Sequence, residues 1–363
     1  MSGIFRAKDG ALPNLLVIFY TIIGWPIGIL LLLQPHWFWN VLGVLLTAHT
    51  LVYSAYLIHD CAHHAIFKSA AANDRLGVLM TWINGACLAN YAGLKKKHLR
   101  HHADRLDVVT FDYRAALRRS PAWLRHAVLA LEWCYIPAVE LVMRALVIGA
   151  PFAAAAPAGA GGPTGAAVRA GLAVPESSDA LRAVRAARAR VIAYAAVRIT
   201  GFAILGLISL KALMLYALAY LLFLNVLRFM DAFQHTYDVF VSRTLAAAPA
   251  DPRRDLAYEY HNTYSNLLAE HPWWLNLLVL NFSYHNAHHV RPSEPWYRLP
   301  ALHRSLYGEA RDRQVIPCRE LFASFHRFRV QRVLADDYGV VAADGERAAA
   351  FMGAVGVSFL TAV

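Results

Sequence analysis

Charge is scarce in this chain. Only 16% of its 363 residues are Asp, Glu, Lys or Arg, against about a quarter in ordinary globular domains, while 58% are apolar. A soluble domain has no place for so much apolar side-chain surface, so an integral membrane protein is expected. Cysteine is sparse too. Cys61, Cys87, Cys134 and Cys318 form no close pair, which argues against a disulfide framework or a fused rubredoxin-like site. The sequence has no Cys-x-x-Cys iron–sulfur pattern, no His-Pro-Gly-Gly haem motif and no Gly-x-Gly-x-x-Gly nucleotide fingerprint. No cleavable signal peptide is expected, because the first apolar run is long and lacks a small-residue cleavage site. The net charge of +11 follows membrane topology, and no nucleic-acid motif accompanies it.

Histidine is what the chain has in abundance, and it is patterned. Three boxes read His59-Asp60-Cys61-Ala62-His63-His64, His98-Leu99-Arg100-His101-His102 and His285-Asn286-Ala287-His288-His289. Residues three and four apart share one face of a helix, so His98, His101 and His102 aim imidazoles at one spot, the third box repeats the spacing, and His59 with His63 gives its i, i+4 form. Eight imidazoles so arranged are too many for one zinc, whose structural sites close with four ligands. Two metals of octahedral leaning fit better, and imidazole suits iron among the redox-active ones. His64 is out of step with His59 and is expected behind the ligands. His36, His49, His126, His261, His271, His303 and His326 have no cluster partner and read as ordinary solvated or packed residues. His59 and His63 share a zinc-hydrolase spacing, but Asp60 stands where that motif needs its general-base Glu, and the other boxes would go unexplained. A metal transporter would set its ligands inside the spans near the midplane, whereas these cluster at span ends.

Three ordered boxes among long apolar stretches resemble the membrane fatty acid desaturase and hydroxylase superfamily, over roughly residues 12–310. The stretch 281–303, with Pro292, Pro295 and Trp296 after the third box, resembles its bacterial branch. The resemblance implies a non-haem di-iron centre that uses dioxygen and two electrons to attack an unactivated C–H bond. It also implies a ninth ligand, His235, just past the last apolar run. One turn before it the family often has Asn. Here Asp231 stands there, which means a direct or water-mediated carboxylate contact, or a solvated side chain. The expected metal ligands are therefore His59, His63, His98, His101, His102, His235, His285, His288 and His289, with His64 and Asp231 at the margin of the set. Asp60, Asp104, Asp107, Asp112 and Glu294 lie near the boxes and are candidates to hold the outer imidazole N–H groups.

The leading reading is an acyl-chain desaturase acting on a lipid or carrier-bound acyl thioester. The runner-up is an oxygen-inserting relative, a hydroxylase or ketolase of fatty acids, sterols or carotenoids. The second box is shorter than that of alkane hydroxylases, which disfavours them. With no electron-transfer motif in the chain, a separate ferredoxin, rubredoxin or cytochrome with its reductase is expected. The Ala- and Arg-rich composition points to a bacterial inner membrane.

The fold class expected is all-α, with about four transmembrane helices and a cytosolic helical cap holding the histidine-rich di-iron site. Residues 15–33 carry no charge and are long enough to span, with a kink at Pro26. Residues 37–58 form a second span whose one ionisable group is His49. Gln34-Pro35-His36 makes the turn between them. Arg6 and Lys8 put the N-terminus in the cytosol, and Lys95, Lys96, Lys97 and Arg100 agree for the second box. One metal centre needs an even number of crossings between boxes. Residues 77–94 are read as interfacial or re-entrant, and residues 124–150 as an amphipathic surface helix with Glu140 and Arg144 paired. An Ala/Gly/Pro-rich stretch, 151–175, is read as a mobile loop reaching to about 180, and Arg182, Arg185, Arg188 and Arg190 mark its far end as cytosolic. Crossings over 191–206 and 212–228 follow, turned at Ser209 and Lys211. The alternative counts 124–150 as one crossing and 199–227 as another, which would put the arginines outside. A single domain, 1–340, precedes a tail, 341–363.

Overall fold

The computed structural model describes residues 3–109, 111–153, 178–237, 240–242, 253–308, 314–342 and 347–357. Most of the Ala/Gly/Pro-rich stretch, residues 154–177, and much of the tail lie outside the described residues.

Helices α1 (Ala11–Leu32) and α2 (Trp37–Ala62) form a hairpin. They approach closely because small residues face each other: a Cβ on Gly28 would lie 2.4 Å from Thr47 Oγ1, and one on Gly43 2.9 Å from Leu32. Asn40 Nδ2 donates to the carbonyls of Leu31, Leu32 and Gln34, closing the turn. Leu12, Leu16, Phe19, Ile23, Ile27 and Leu30 make an exposed apolar stripe along α1, the pattern of a lipid-facing helix. Trp37, Phe38 and Trp39 are exposed at the far turn, as interfacial aromatic anchors are.

Helix α3 (Ala70–Asn84) ends at Gly85, φ +84°, and α4 (Tyr91–Asp104) turns back beside it, with Tyr91 seated on Gly77. Residues 77–94 therefore fold back, as a re-entrant course requires. After α5 (Tyr113–Arg119) come α6 (Ala122–Trp133) and α7 (Ala138–Ala153), bent by 114° to each other. This corrects the expected single surface helix. Its charges are not solvated: Glu132, Glu140 and Arg144 are buried, and Arg228, 5% exposed, lies against both carboxylates, bonding Glu132 and standing 3.0 Å from Glu140. An apolar run with scattered charges reads as amphipathic in sequence, and the distant arginine that lets it bury cannot be seen there.

Helices α8 (Ser178–Ile208) and α9 (Leu210–Ala232) are separated at Ser209, whose hydroxyl accepts from the Ala212 N–H. That break removes the alternative of one crossing over 199–227. Among the described residues four helices are long and apolar enough to cross a membrane, α1, α2, α8 from Leu181, and α9, and the bent pair α6–α7 would make a fifth if taken as one broken span. Arg198 of α8 donates to the Trp82 carbonyl and Tyr220 of α9 to that of Asn84, covering the open C-terminal end of α3.

The remaining chain makes a cap of short elements over one end of these helices: α10 (Leu256–His261), α11 (His285–Val290), α12 (Leu299–Tyr307), α13 (Cys318–Arg327) and α14 (Gln331–Leu334). Strand β1 (Asp107–Val109) pairs in parallel with β2 (Phe240–Ser242), and β3 (Gly339–Val340) antiparallel with β4 (Ala350–Phe351). The main core runs from α2 and α3 through α9 into this cap, so the box-bearing segments all root in one packed body.

Candidate metal centre

Each box rides on a helix end or a short helix. His59 lies in the last turn of α2 and His63 caps it. The second box fills the C-terminal half of α4, which starts on an Asn90 cap and stops at Arg105, φ +48°. The third box fills all of α11 but its last residue, Val290. His235 follows α9 in extended backbone, pinned by hydrogen bonds from Tyr264 N to Gln234 O (2.8 Å) and from Thr236 N to Asn262 O (3.0 Å).

The nine residues expected as ligands come together, in two sets. His59, His63, His98, His102 and His288 form one, and His101, His235, His285 and His289 the other. Within each set one nitrogen per ring lies within 4.8 Å of all the rest. In the first, Nε2 of His98 faces Nε2 of His63 (2.6 Å) and of His102 (3.2 Å), which faces that of His288 (3.2 Å). In the second, Nε2 of His235 faces those of His101 (3.1 Å) and His285 (2.8 Å), and His289 faces His285 (3.1 Å). The second box thus splits, sending His98 and His102 to one set and His101 to the other.

The protonation state of the rings suits a cation. Burial, reinforced by neighbouring rings, holds His63, His98, His102, His235, His285 and His288 well below the usual imidazole range, and His101 at about 3. These rings are neutral at pH 7, each with one donor and one acceptor nitrogen. The His101 Nδ1–H donates to the Leu106 carbonyl (2.8 Å), and Nδ1 of His289 faces Glu259 Oε1 (2.9 Å), so their Nε2 lone pairs turn inward. Several inward lone pairs within about 3 Å repel unless a cation sits among them. All-nitrogen, uncharged donors backed by carboxylates suit a late first-row metal.

The two marginal residues stand apart. His64, φ +55°, turns out of the helix and accepts from Lys95 (2.7 Å), which also bonds Asp74. Asp231 belongs to neither set, yet lines a cavity of about 30 Å³ with His98, His101, His235 and His285. Of the acidic residues proposed behind the rings, Asp60 lies 3.4 Å from His59 Nδ1 and accepts from Trp296 N (3.3 Å), while Asp107 lies 3.6 Å from His101 Nδ1 and accepts from the Tyr338 hydroxyl. Asp104 pairs with Arg100, Asp112 caps α5, and Glu294 faces Arg298. Glu259, whose Oε1 faces His289 Nδ1, is absent from that set of candidates. It lies 26 residues before the third box, and nothing local in its sequence marks it.

Among the isolated histidines, His303 hydrogen-bonds Asn286 (3.1 Å) and His49 the Tyr20 hydroxyl (2.6 Å), both away from the two sets. The sequence model of the fatty acid desaturase family matches residues 35–322, a stretch that holds all three boxes and His235. No curated protein sequence matches the chain significantly.

Proposed function

The chain belongs to the fatty acid desaturase family, and we propose that within it this protein is an acyl-chain desaturase with two irons, one in each histidine set. In that reaction two hydrogens leave adjacent carbons and a double bond forms. Two electrons from a donor protein and two protons complete the reduction of dioxygen to two waters. The irons, when bound, supply the dioxygen activation. The residues of the chain hold them, keep the rings neutral, and present the substrate.

One observation carries the reading: an apolar groove of a size for a chain is floored in part by Met230, whose neighbour in sequence lines the small cavity at the rings. A groove of about 730 Å³ runs between α2 and α9, with Leu45 and Leu222 exposed at its rim and Val52, Met230 and Val279 buried in its floor. Met230 is followed directly by Asp231, which lines the small cavity against the rings. Phe282 lines the same small cavity, its ring 4.9 Å from that of His59 and 4.5 Å from that of Tyr56. An uncharged polymethylene chain suits these mainly apolar walls, in which His49, Tyr135, Asn225 and His326 are the polar exceptions.

Orientation follows from charge. Arg6 donates to the His64 carbonyl (3.4 Å), so the basic start of the chain lies beside the first box, near Lys95. The positive-inside rule then supports metals on the cytosolic side of an inner membrane, where a soluble ferredoxin, rubredoxin or cytochrome with its reductase delivers electrons. The test is expression of the wild type and His101→Ala in a bacterial host, with a ferredoxin and reductase supplied, followed by mass spectrometry of total acyl chains. Chains lighter by two hydrogens, absent in the variant, are expected. Chains heavier by one oxygen would replace desaturation with hydroxylation, and unchanged chains would refute an acyl substrate common to that host.

A further inference from the structure

We infer that Glu259, held by Arg105, is a positioning carboxylate for the four-nitrogen histidine set, fixing the His289 ring through its outer nitrogen. The inference rests on the two-iron reading above and asks what makes the sets unlike each other.

Glu259 sits on α10, a short helix capped by Asp255, and its two oxygens face two different boxes. Oε1 lies 2.9 Å from His289 Nδ1, in the third box. Oε2 accepts from Arg105 Nε (2.9 Å), and Arg105 is the residue that ends the second-box helix. Arg105 also donates from Nη1 to the Arg254 carbonyl (3.1 Å), so the guanidinium is anchored at both ends. The result is a bridge from the second box, through α10, to the third. One nitrogen of His102, one of His289 and one oxygen of Glu259 all lie within 4.8 Å of one another. The two rings belong to different sets and pack at 4.2 Å, tilted by 31°.

Among the described residues the outer nitrogens have partners of different kinds. Those of His101 and His235 meet uncharged oxygens, the Leu106 carbonyl at 2.8 Å and the Thr263 hydroxyl at 3.4 Å. The carboxylate beside His59, Asp60, is at 3.4 Å, and Asp107 is 3.6 Å from His101. A carboxylate bonded to the far side of an imidazole fixes its tautomer and plane and strengthens the inward nitrogen as a donor. Glu259 brings this to the four-nitrogen set, the one with fewer rings. A full negative charge, screened only in part by Arg105, then favours the more oxidised metal there. The structure therefore predicts two inequivalent irons.

The experiment uses full-length protein in lipid nanodiscs, loaded with ⁵⁷Fe, as wild type, Glu259→Gln, Glu259→Asp and Arg105→Gln. Iron is counted under a fixed chelator and both sites are read by Mössbauer spectroscopy. The wild type is expected to show two iron doublets. Glu259→Gln keeps the shape and loses the charge, and is expected to weaken one iron by about 10–100-fold and change one doublet while the other stays. Glu259→Asp restores part of the occupancy, and Arg105→Gln gives the same change in smaller measure, which keeps the test open should Glu259→Gln fail to fold. A merely structural role would shift both doublets, or the melting temperature, and rescue nothing. Wild-type occupancy with both doublets unchanged in Glu259→Gln and Arg105→Gln would overturn the inference alone. A wild type that binds no iron would overturn the two-iron reading with it.

Discussion

His235 is the ligand candidate outside the boxes, and the structure makes its loss calculable. It is one of four nitrogens in the second set, against five in the first. Four-ligand sites in small metal-folded peptides are worth about 10–16 kcal/mol, or roughly 2.5–4 kcal/mol per ligand. At about 1.4 kcal/mol per tenfold, His235→Ala should weaken the second iron by two to three orders of magnitude and leave the first in place. The fold should hold, because the segment is pinned through the backbone of Gln234 and Thr236, which the substitution spares. His64→Asn is the matched control: its ring meets Lys95 rather than either set, and Asn tolerates the positive φ. The assay is iron per polypeptide across a chelator series, with circular dichroism to verify folding. One iron lost at low chelator in His235→Ala, and two retained in His64→Asn, is the expected outcome. If His235→Ala holds both irons as tightly as the wild type, the division into two sets is wrong. If His64→Asn loses one, the ring that the structure turns away is a ligand after all.

Two further outcomes follow from packing. Arg228→Met strands Glu132 and Glu140, each 1% exposed, beside an apolar side chain, and removing one partner of a buried pair costs about 3–5 kcal/mol. The lower end is expected, since Arg332 lies near enough to feel both carboxylates while bonding the Phe325 and Phe328 carbonyls. Adding Glu132→Gln and Glu140→Gln should restore much of the melting temperature, and a triple variant no more stable than Arg228→Met would contradict the triad. At the groove rim, Leu222→Trp leaves the buried floor alone, so it should lower turnover of long chains by about tenfold or more relative to short ones. Equal turnover of both lengths in a chain-length series would remove the groove from the substrate path.

What could be read in the sequence was what is encoded locally. His98, His101 and His102 announce a shared helical face at a range of five residues, and the hairpin of α1 and α2 announces itself by two uncharged runs around a Pro turn. Distribution among metals is not local. His101 parts from His98 and His102 because His235 approaches one side of α4 and the end of α2 the other, while α11 sends rings to both, a matter of tertiary placement. The misreading of residues 124–150 has the same root: Glu132 and Glu140 look solvent-seeking until Arg228, 96 and 88 residues away by number, is folded between them. Glu259 is the sharpest case. A search for carboxylates near the boxes in sequence finds Asp104, which serves Arg100, and Asp112, which serves a helix cap, and passes over the one that meets His289. The physical reason is economy of geometry. A ligand must share a helix face with its neighbours and so leaves a periodic trace, whereas the group behind it need only arrive at one ring nitrogen from any direction. Supporting residues of such centres are therefore the part that a fold must reveal, and they are also where relatives with identical boxes are free to differ in chemistry.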